Sequence, residues 1–173
     1  MATETQSLQT LRDLFEYELG CMYYVENQLV DTLDELAMQT PNENISRGFA
    51  DHRDETQKQV ERLERVFDAI DRKPFEHEVD ALDGLLRDKQ SFDEMVGEDE
   101  LRNVHYLGAG MKTERFEITS YESLQMLADR LDMGSDVTDP LKQNLDEEQR
   151  TLDELQAMAT GSKLKELFQK LTG

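Results

Sequence analysis

The chain has 173 residues, of which 39 are acidic and 19 basic, so its formal net charge at neutral pH is -20. A charge of that sign repels nucleic acids and anionic membrane surfaces, and we expect neither as a partner. One cysteine, no basic and apolar leader and no apolar run of about 18 residues argue against a disulfide-linked, secreted or membrane-spanning protein, so we expect a single cytoplasmic domain over residues 1–173.

Apolar residues recur every three or four positions through most of the chain, a period typical of amphipathic α-helices. The first predicted helix covers residues 7–39 and ends before Pro41, because proline lacks the amide hydrogen and disfavours a helical residue before it. The second predicted helix is capped by Asn42 or Asn44 and runs to about residue 71. The short loop between these two helices predicts an antiparallel hairpin.

A shorter helix is predicted over residues 79–96, followed by Gly97. Its length suggests a crossover that carries the chain to the other end of a helical bundle. The fourth predicted helix spans residues 99–132, although Gly108 and Gly110 weaken its first turns.

The end of the chain supplies the second hairpin. Gly134 is predicted to end the fourth helix, and Asp139 and Pro140 are predicted to begin the fifth as its N-cap and first helical residue. A last short helix is predicted over residues 163–171. The sequence thus predicts an all-α fold: a four-helix bundle of two hairpins joined by a crossover with a short helix, plus a short C-terminal helix.

One position in the last long helix interrupts an otherwise apolar seam. At helical spacing, Glu148 completes a row of apolar residues that should face the core: Val137, Leu141, Leu145, Leu152, Leu155 and Ala159. Burying an unpaired carboxylate costs several kcal/mol, so a core position occupied by Glu148 requires a proton, a cationic partner or a metal ion.

The other long helices also carry polar residues at core-facing positions. The positions are Glu26 in the first helix, His52 and Glu55 in the second, and Glu114 and Glu117 in the fourth. Inward-facing carboxylates at similar depth in four helices are the ligand set of di-iron and di-manganese bundles. Because oxygen ligands dominate and no more than one imidazole joins them, the set favours one or two iron or manganese ions per chain.

A buried polar layer without metal is the alternative interpretation. Shared protons, together with hydrogen bonds from His52, Thr56 and Gln59, would then satisfy the carboxylates. The protein would in that case be a non-enzymatic structural or protein-interaction bundle. Tyr121 also has two interpretations: a hydrogen-bond donor to a ligand carboxylate such as Glu117, or a core tyrosine whose hydroxyl is satisfied elsewhere.

Four segments of the chain resemble the YciF-like family of ferritin-like proteins. They are MYYVENQL at 22–29, DHRDETQKQVERLE at 51–64, ERFEITSYESL at 114–124 and LDEEQRTLDEL at 145–155. Members of that family are helical bundles that tend to dimerise and are implicated in bacterial stress responses. The resemblance therefore implies a ferritin-like fold, a homodimer and a stress-associated function.

The resemblance also implies a ligand set, which is Glu26, Glu55, Glu114, Glu117 and Glu148, with His52 as a further candidate. Two positions depart from ferritin-like sites, which often carry histidine where this chain has Lys58 and Thr151. These departures leave open whether the site has an oxidoreductase activity of ferroxidase or peroxidase type.

The acidic outer faces of the helices suggest adaptation to high intracellular salt.

Overall fold

The structure is a computed structural model, and it describes residues 7–161. Over that range the chain forms five α-helices and no strand: α1 (Leu11–Gln39), α2 (Glu43–Ala69), α3 (Asp80–Met95), α4 (Asp99–Arg130) and α5 (Ser135–Thr160). The predicted all-α class is confirmed. The C-terminal helix predicted over residues 163–171 lies outside the described residues. None of the described helices is long and apolar enough to cross a membrane.

The four long helices form a bundle of two hairpins. α1 packs along α2 and α4 along α5, and the hairpins meet through the α2–α5 and α1–α4 contacts. α3 lies on the outside, mainly against α4, and connects the hairpins as the predicted crossover. The core lies between the four long helices because each directs one apolar face inward.

Polar contacts hold the crossover helix α3 in place. Leu82 is its one fully buried apolar side chain among those described. The Lys89 ammonium donates to Gln39 Oε1 on α1 at 2.7 Å, and the Tyr24 hydroxyl donates to Asp83 Oδ1 at 2.7 Å. α3 therefore covers the α1–α4 side of the bundle through side-chain hydrogen bonds more than through a continuous apolar face.

The starts of α1 and α2 are defined by capping side chains. Thr10 and Asp13 form a capping box, so α1 begins at Leu11 and not at residue 7. The Asn42 side chain accepts hydrogen bonds from the amides of Asn44 and Ile45, which selects Asn42 over Asn44 as the cap of α2.

The end of α4 differs from the prediction. The helix ends at Arg130, and Asp132 takes the left-handed conformation with φ 49°. The amide of Met133 donates to the carbonyl of Ala128 at 3.0 Å, so this end is a Schellman motif with aspartate where glycine is usual. The prediction that Gly134 ends α4 was wrong.

The start of α5 was also predicted wrongly. The helix begins at Ser135, Gly134 is its N-cap, and Pro140 lies inside the helix. The earlier start places Val137, which is 4% exposed, on the same buried face as Leu141. Burial of this additional apolar side chain outweighs the loss of one backbone hydrogen bond at Pro140, close to the exposed helix start.

Candidate metal centre

Five of the six residues predicted from the sequence converge in the middle of the bundle. Glu26 comes from α1, His52 from α2, Glu114 and Glu117 from α4, and Glu148 from α5. The four carboxylate residues are between 0% and 2% exposed, and His52 is 8% exposed. All four long helices therefore contribute a titratable side chain to one desolvated cluster, called here the carboxylate cluster.

Glu148 is shared by two groups of potential ligands. In the first group, one donor atom each from His52, Glu114 and Glu148 lie within 4.8 Å of one another. In the second, donor atoms of Glu26, Glu117 and Glu148 meet the same limit. A carboxylate has two oxygens, so Glu148 is placed to face two adjacent positions at once.

His52 lies between carboxylates of the second hairpin. Its Nδ1 is 3.5 Å from Glu114 Oε1, and its Nε2 is 3.5 Å from Glu148 Oε2. A neutral imidazole carries a proton on only one of these nitrogens, which leaves the other free as a metal ligand.

The carboxylate cluster contains most of the buried polar atoms that lack a hydrogen-bond partner among the described residues. They are Glu26 Oε2, His52 Nε2, Glu114 Oε2, both oxygens of Glu117 and both oxygens of Glu148, with Gln59 Oε1 nearby. Buried polar atoms in native proteins nearly always have partners. A set of orphaned oxygens concentrated at one point fits a bound cation, which can accept electron pairs from several of them.

Burial strongly perturbs these carboxyl groups in the metal-free protein. Desolvation, followed by repulsion from neighbouring Glu148, raises the pKa of Glu26, Glu114 and Glu117 well above the ordinary value. These groups therefore retain protons at a pH where an exposed glutamate is ionised. A divalent cation would reverse that preference by supplying positive charge among them.

Tyr121 supports the cluster from α4. Its buried hydroxyl donates a short hydrogen bond to Glu26 Oε1 and accepts one from Asn144 Nδ2 at 2.9 Å. Burial, together with the adjacent Glu26, raises the pKa of Tyr121 well above its ordinary value, so the hydroxyl keeps its proton. Of the two interpretations of Tyr121, the structure supports the donor to a candidate ligand, and that ligand is Glu26 rather than Glu117.

A buried ion pair below the cluster was missed at the sequence level. Arg62 donates to Glu147 Oε1 at 2.8 Å and to Asn144 Oδ1 at 2.9 Å. Asn144 thus connects this pair to Tyr121. In the sequence, Arg62 and Glu147 resemble the many charged residues of the outer faces; the available signal was Asn144, which lies four residues before Glu148 on the same helical face.

Glu55 lies at the rim and outside both groups of potential ligands. Its side chain is 23% exposed and accepts a short hydrogen bond from the Arg150 guanidinium. Thr56, four residues after His52, occupies the inward position and is 1% exposed. Glu55 is offset from His52 by about 60° around the helix axis and Thr56 by about 40° in the opposite sense, and α2 is rotated so that Thr56 faces the core and Glu55 faces the rim. Glu55 still adds repulsion that raises the pKa of Glu114.

Comparisons with known proteins place the chain among ferritin-like bundles. The family described as Domain of unknown function (DUF892) matches residues 10–168. Protein YciF of Escherichia coli strain K12 is 32% identical over 146 residues, covering 84% of this chain and 87% of that protein.

Solved structures agree with the described fold. The E. coli stress protein YciF matches with a TM-score of 0.83 and 32% identity, over 88% of this chain and 96% of that chain. YcfI, a proposed structural protein from Rhodopseudomonas palustris, matches with a TM-score of 0.85 and 29% identity, over 89% and 98%. These similarities confirm the predicted ferritin-like fold.

Proposed function

The chain belongs to the YciF-like DUF892 family, and from that premise we propose that it is a stress-associated, ferritin-like protein that binds one or two metal ions in its carboxylate cluster. The observation that carries the proposal is the pair of ligand groups sharing Glu148, lined by orphaned carboxylate oxygens. The ions would be held by Glu26, His52, Glu114, Glu117 and Glu148. Glu55 would join only by moving inward from Arg150.

The charge and chemistry of the donors favour iron or manganese. Two divalent cations carry four positive charges, which the carboxylates of Glu26, Glu114, Glu117 and Glu148 would balance. Oxygen donors with a single imidazole suit Fe(II) and Mn(II) better than they suit softer metals, which prefer thiolates.

An oxidoreductase activity would depend on the metal. Bound iron would supply electrons to dioxygen or peroxide, in a reaction of ferroxidase or peroxidase type. The side chains would hold the ion, and the Tyr121 hydroxyl would orient Glu26. We also propose a cytoplasmic homodimer, as the family resemblance implies, and light scattering would then give twice the chain mass of 20.1 kDa.

The decisive experiment is a metal titration of chelator-treated protein with Fe(II) without oxygen, and with Mn(II), followed by elemental analysis. The wild type should retain one or two ions per chain, and Glu148→Ala should lose both ions because it removes the shared ligand. The matched control is Glu122→Ala, an exposed glutamate on α4, which should bind as the wild type does. Unchanged stoichiometry and affinity in a folded Glu148→Ala variant would overturn the proposal.

A structural protein with a metal-free polar layer is the second candidate, favoured by the description of the Rhodopseudomonas relative. The two candidates differ in their response to Glu148→Leu. Without a metal, leucine relieves a buried carboxylate and should raise the melting temperature. With a metal, Mn(II) should raise the melting temperature of the wild type and leave that of the variant unchanged.

A further inference from the structure

A small cavity lies next to the carboxylate cluster, between α1, α3 and α4. Its volume is about 50 Å³ and its wall is mostly apolar. The apolar wall is formed chiefly by Leu29, Leu33, Leu36, Leu85, Leu86 and Ala109. Its inner end is formed by His52, Glu114 and Glu117, and its outer end by the exposed residues Asp88 and Lys112. The cavity thus connects the surface beside α3 to one side of the cluster.

The two hydroxyl groups in this wall are already satisfied. Thr32 donates to the carbonyl of Gln28 at 2.8 Å, and Thr113 donates to the carbonyl of Ala109 at 3.1 Å. Two further polar residues line the cavity: Lys89, which is paired with Gln39 and Asp93, and His105, whose ring stacks on Phe92. The middle of the cavity therefore offers water few partners, whereas a bound water needs two to four. Such a space is better suited to an apolar molecule than to water or an ion.

A second approach to the cluster has the opposite character. A pocket of about 440 Å³ between α2 and α5 is mostly polar and is lined by Glu55, Lys58 and Arg150, with His52 among its residues. His52 therefore lies at the inner end of both openings. The carboxylates of the polar pocket suit the entry of a cation better than the mostly apolar wall of the cavity does.

We propose that the apolar cavity is a binding site for a small apolar molecule of the size of dioxygen, which reaches the Glu114–Glu117 side of the cluster separately from the metal ion. Its volume sets the size of the ligand, since an apolar cavity of roughly 150 Å³ accommodates benzene and this one is far smaller. The use of such a ligand by a bound metal rests on the proposed function; the binding itself does not.

Xenon and dioxygen are the probes for a test on the metal-free protein. Crystals under xenon pressure should show xenon between Leu33 and Ala109 in the wild type. Under dioxygen pressure, paramagnetic relaxation of the Leu33 methyl protons should exceed that of the Ile45 methyl protons at least about threefold, because Ile45 is equally buried and lies outside the cavity wall.

Ala109→Leu should fill the cavity from α4 and abolish both signals. The matched control is Ala81→Leu, the same change at an exposed helical position, which should keep both signals. If Ala109→Leu does not fold, Leu33→Phe fills the cavity from α1 and should abolish xenon binding in its place. Absence of both gases from the wild-type cavity, or their persistence in a folded filled variant, would overturn the proposal. Neither result depends on metal binding. A negative gas-binding experiment would therefore not contradict the proposed metal site, and a negative metal titration would not contradict gas binding in the cavity.

Discussion

Two opposing requirements meet around Glu148. Burial, followed by repulsion from Glu148, favours the neutral acid at Glu26, Glu114 and Glu117, whereas the two ligand groups that share Glu148 are suited to ionised carboxylates around a cation. The metal-free and metal-loaded proteins should therefore differ in the protonation of these three carboxyl groups, and metal binding should release protons.

The pH dependence of stability tests this protonation through Glu117→Gln. The folded state of the metal-free protein has a raised pKa at Glu117, so it binds more protons than the unfolded state above about pH 4.3. The free energy of unfolding should consequently fall as the pH rises from that value towards neutrality. Glutamine cannot ionise, so urea denaturation should show a shallower fall in the variant. Glu122→Gln on the exposed side of α4 is the control, and parallel curves for Glu117→Gln and wild type would contradict the explanation.

Tyr121→Phe tests the support of the cluster. The change removes the hydrogen bond to Glu26 and deprives Asn144 of an acceptor, so the protein should lose about 1–3 kcal/mol of stability. Burial raises the pKa of Glu26 and the Tyr121 hydrogen bond offsets part of that rise, so loss of the hydrogen bond should weaken metal binding at a given pH. Urea denaturation and metal titration measure the two effects. Tyr24→Phe, which removes a hydrogen bond to α3, should lower stability without changing metal affinity.

At the scale of the helix, two glycines that both lie inside long helices have different surroundings. Gly20 lies in α1 where the connection between α2 and α3 folds back, and its carbonyl accepts from the amide of His77 at 3.2 Å. A Cβ at Gly20 would lie 2.6 Å from Phe75 Cε2, whereas a Cβ at Gly108 in α4 would meet nothing within 4 Å.

Alanine substitutions at these two positions should act in opposite directions. Gly20→Ala forces the Phe75 ring away and should cost about 1–3 kcal/mol by overpacking. Gly108→Ala meets no neighbour and should stabilise α4 by about 0.5–1 kcal/mol, because alanine loses less backbone entropy on folding. Thermal and urea denaturation of both variants provide the measurement. A Gly20→Ala variant as stable as the wild type, or more stable, would show that the connection does not pack on α1 as described.

The whole molecule combines a cluster that joins both hairpins with a net charge of -20. Repulsion between like charges destabilises the compact state, and salt screens it over a Debye length of about 3 Å at 1 M. The melting temperature should therefore rise by several degrees between low salt and molar KCl, as the hypothesis of salt adaptation requires. A control in sucrose at equal osmolality separates the screening of the protein's charges from the exclusion of solute from its surface. If neither the helicity measured by circular dichroism nor the melting temperature responds to KCl, the hypothesis of salt adaptation is contradicted.

Within residues 7–161, local chemistry alone determined the five helices and most of their bounds. The 3.6-residue period, Pro41 and the Asn42 cap are properties of neighbouring residues, and they predicted α1 and α2 closely. The same period identified the candidate ligands, because a carboxylate on an apolar seam is visible without knowledge of the partner helix. The ligand roles themselves stay predictions until a metal is measured.

Tertiary packing decided what the period could not. It placed Glu55 at the rim beside Arg150, and it directed Tyr121 towards Glu26 on another helix. It also extended α5 back to Ser135, because burial of Val137 favours helix there. Sequence periodicity reports only which face of a helix points inward. Which side chains meet across the core depends on the rotation and axial shift between helices, and these are set by the packing of all the helices together.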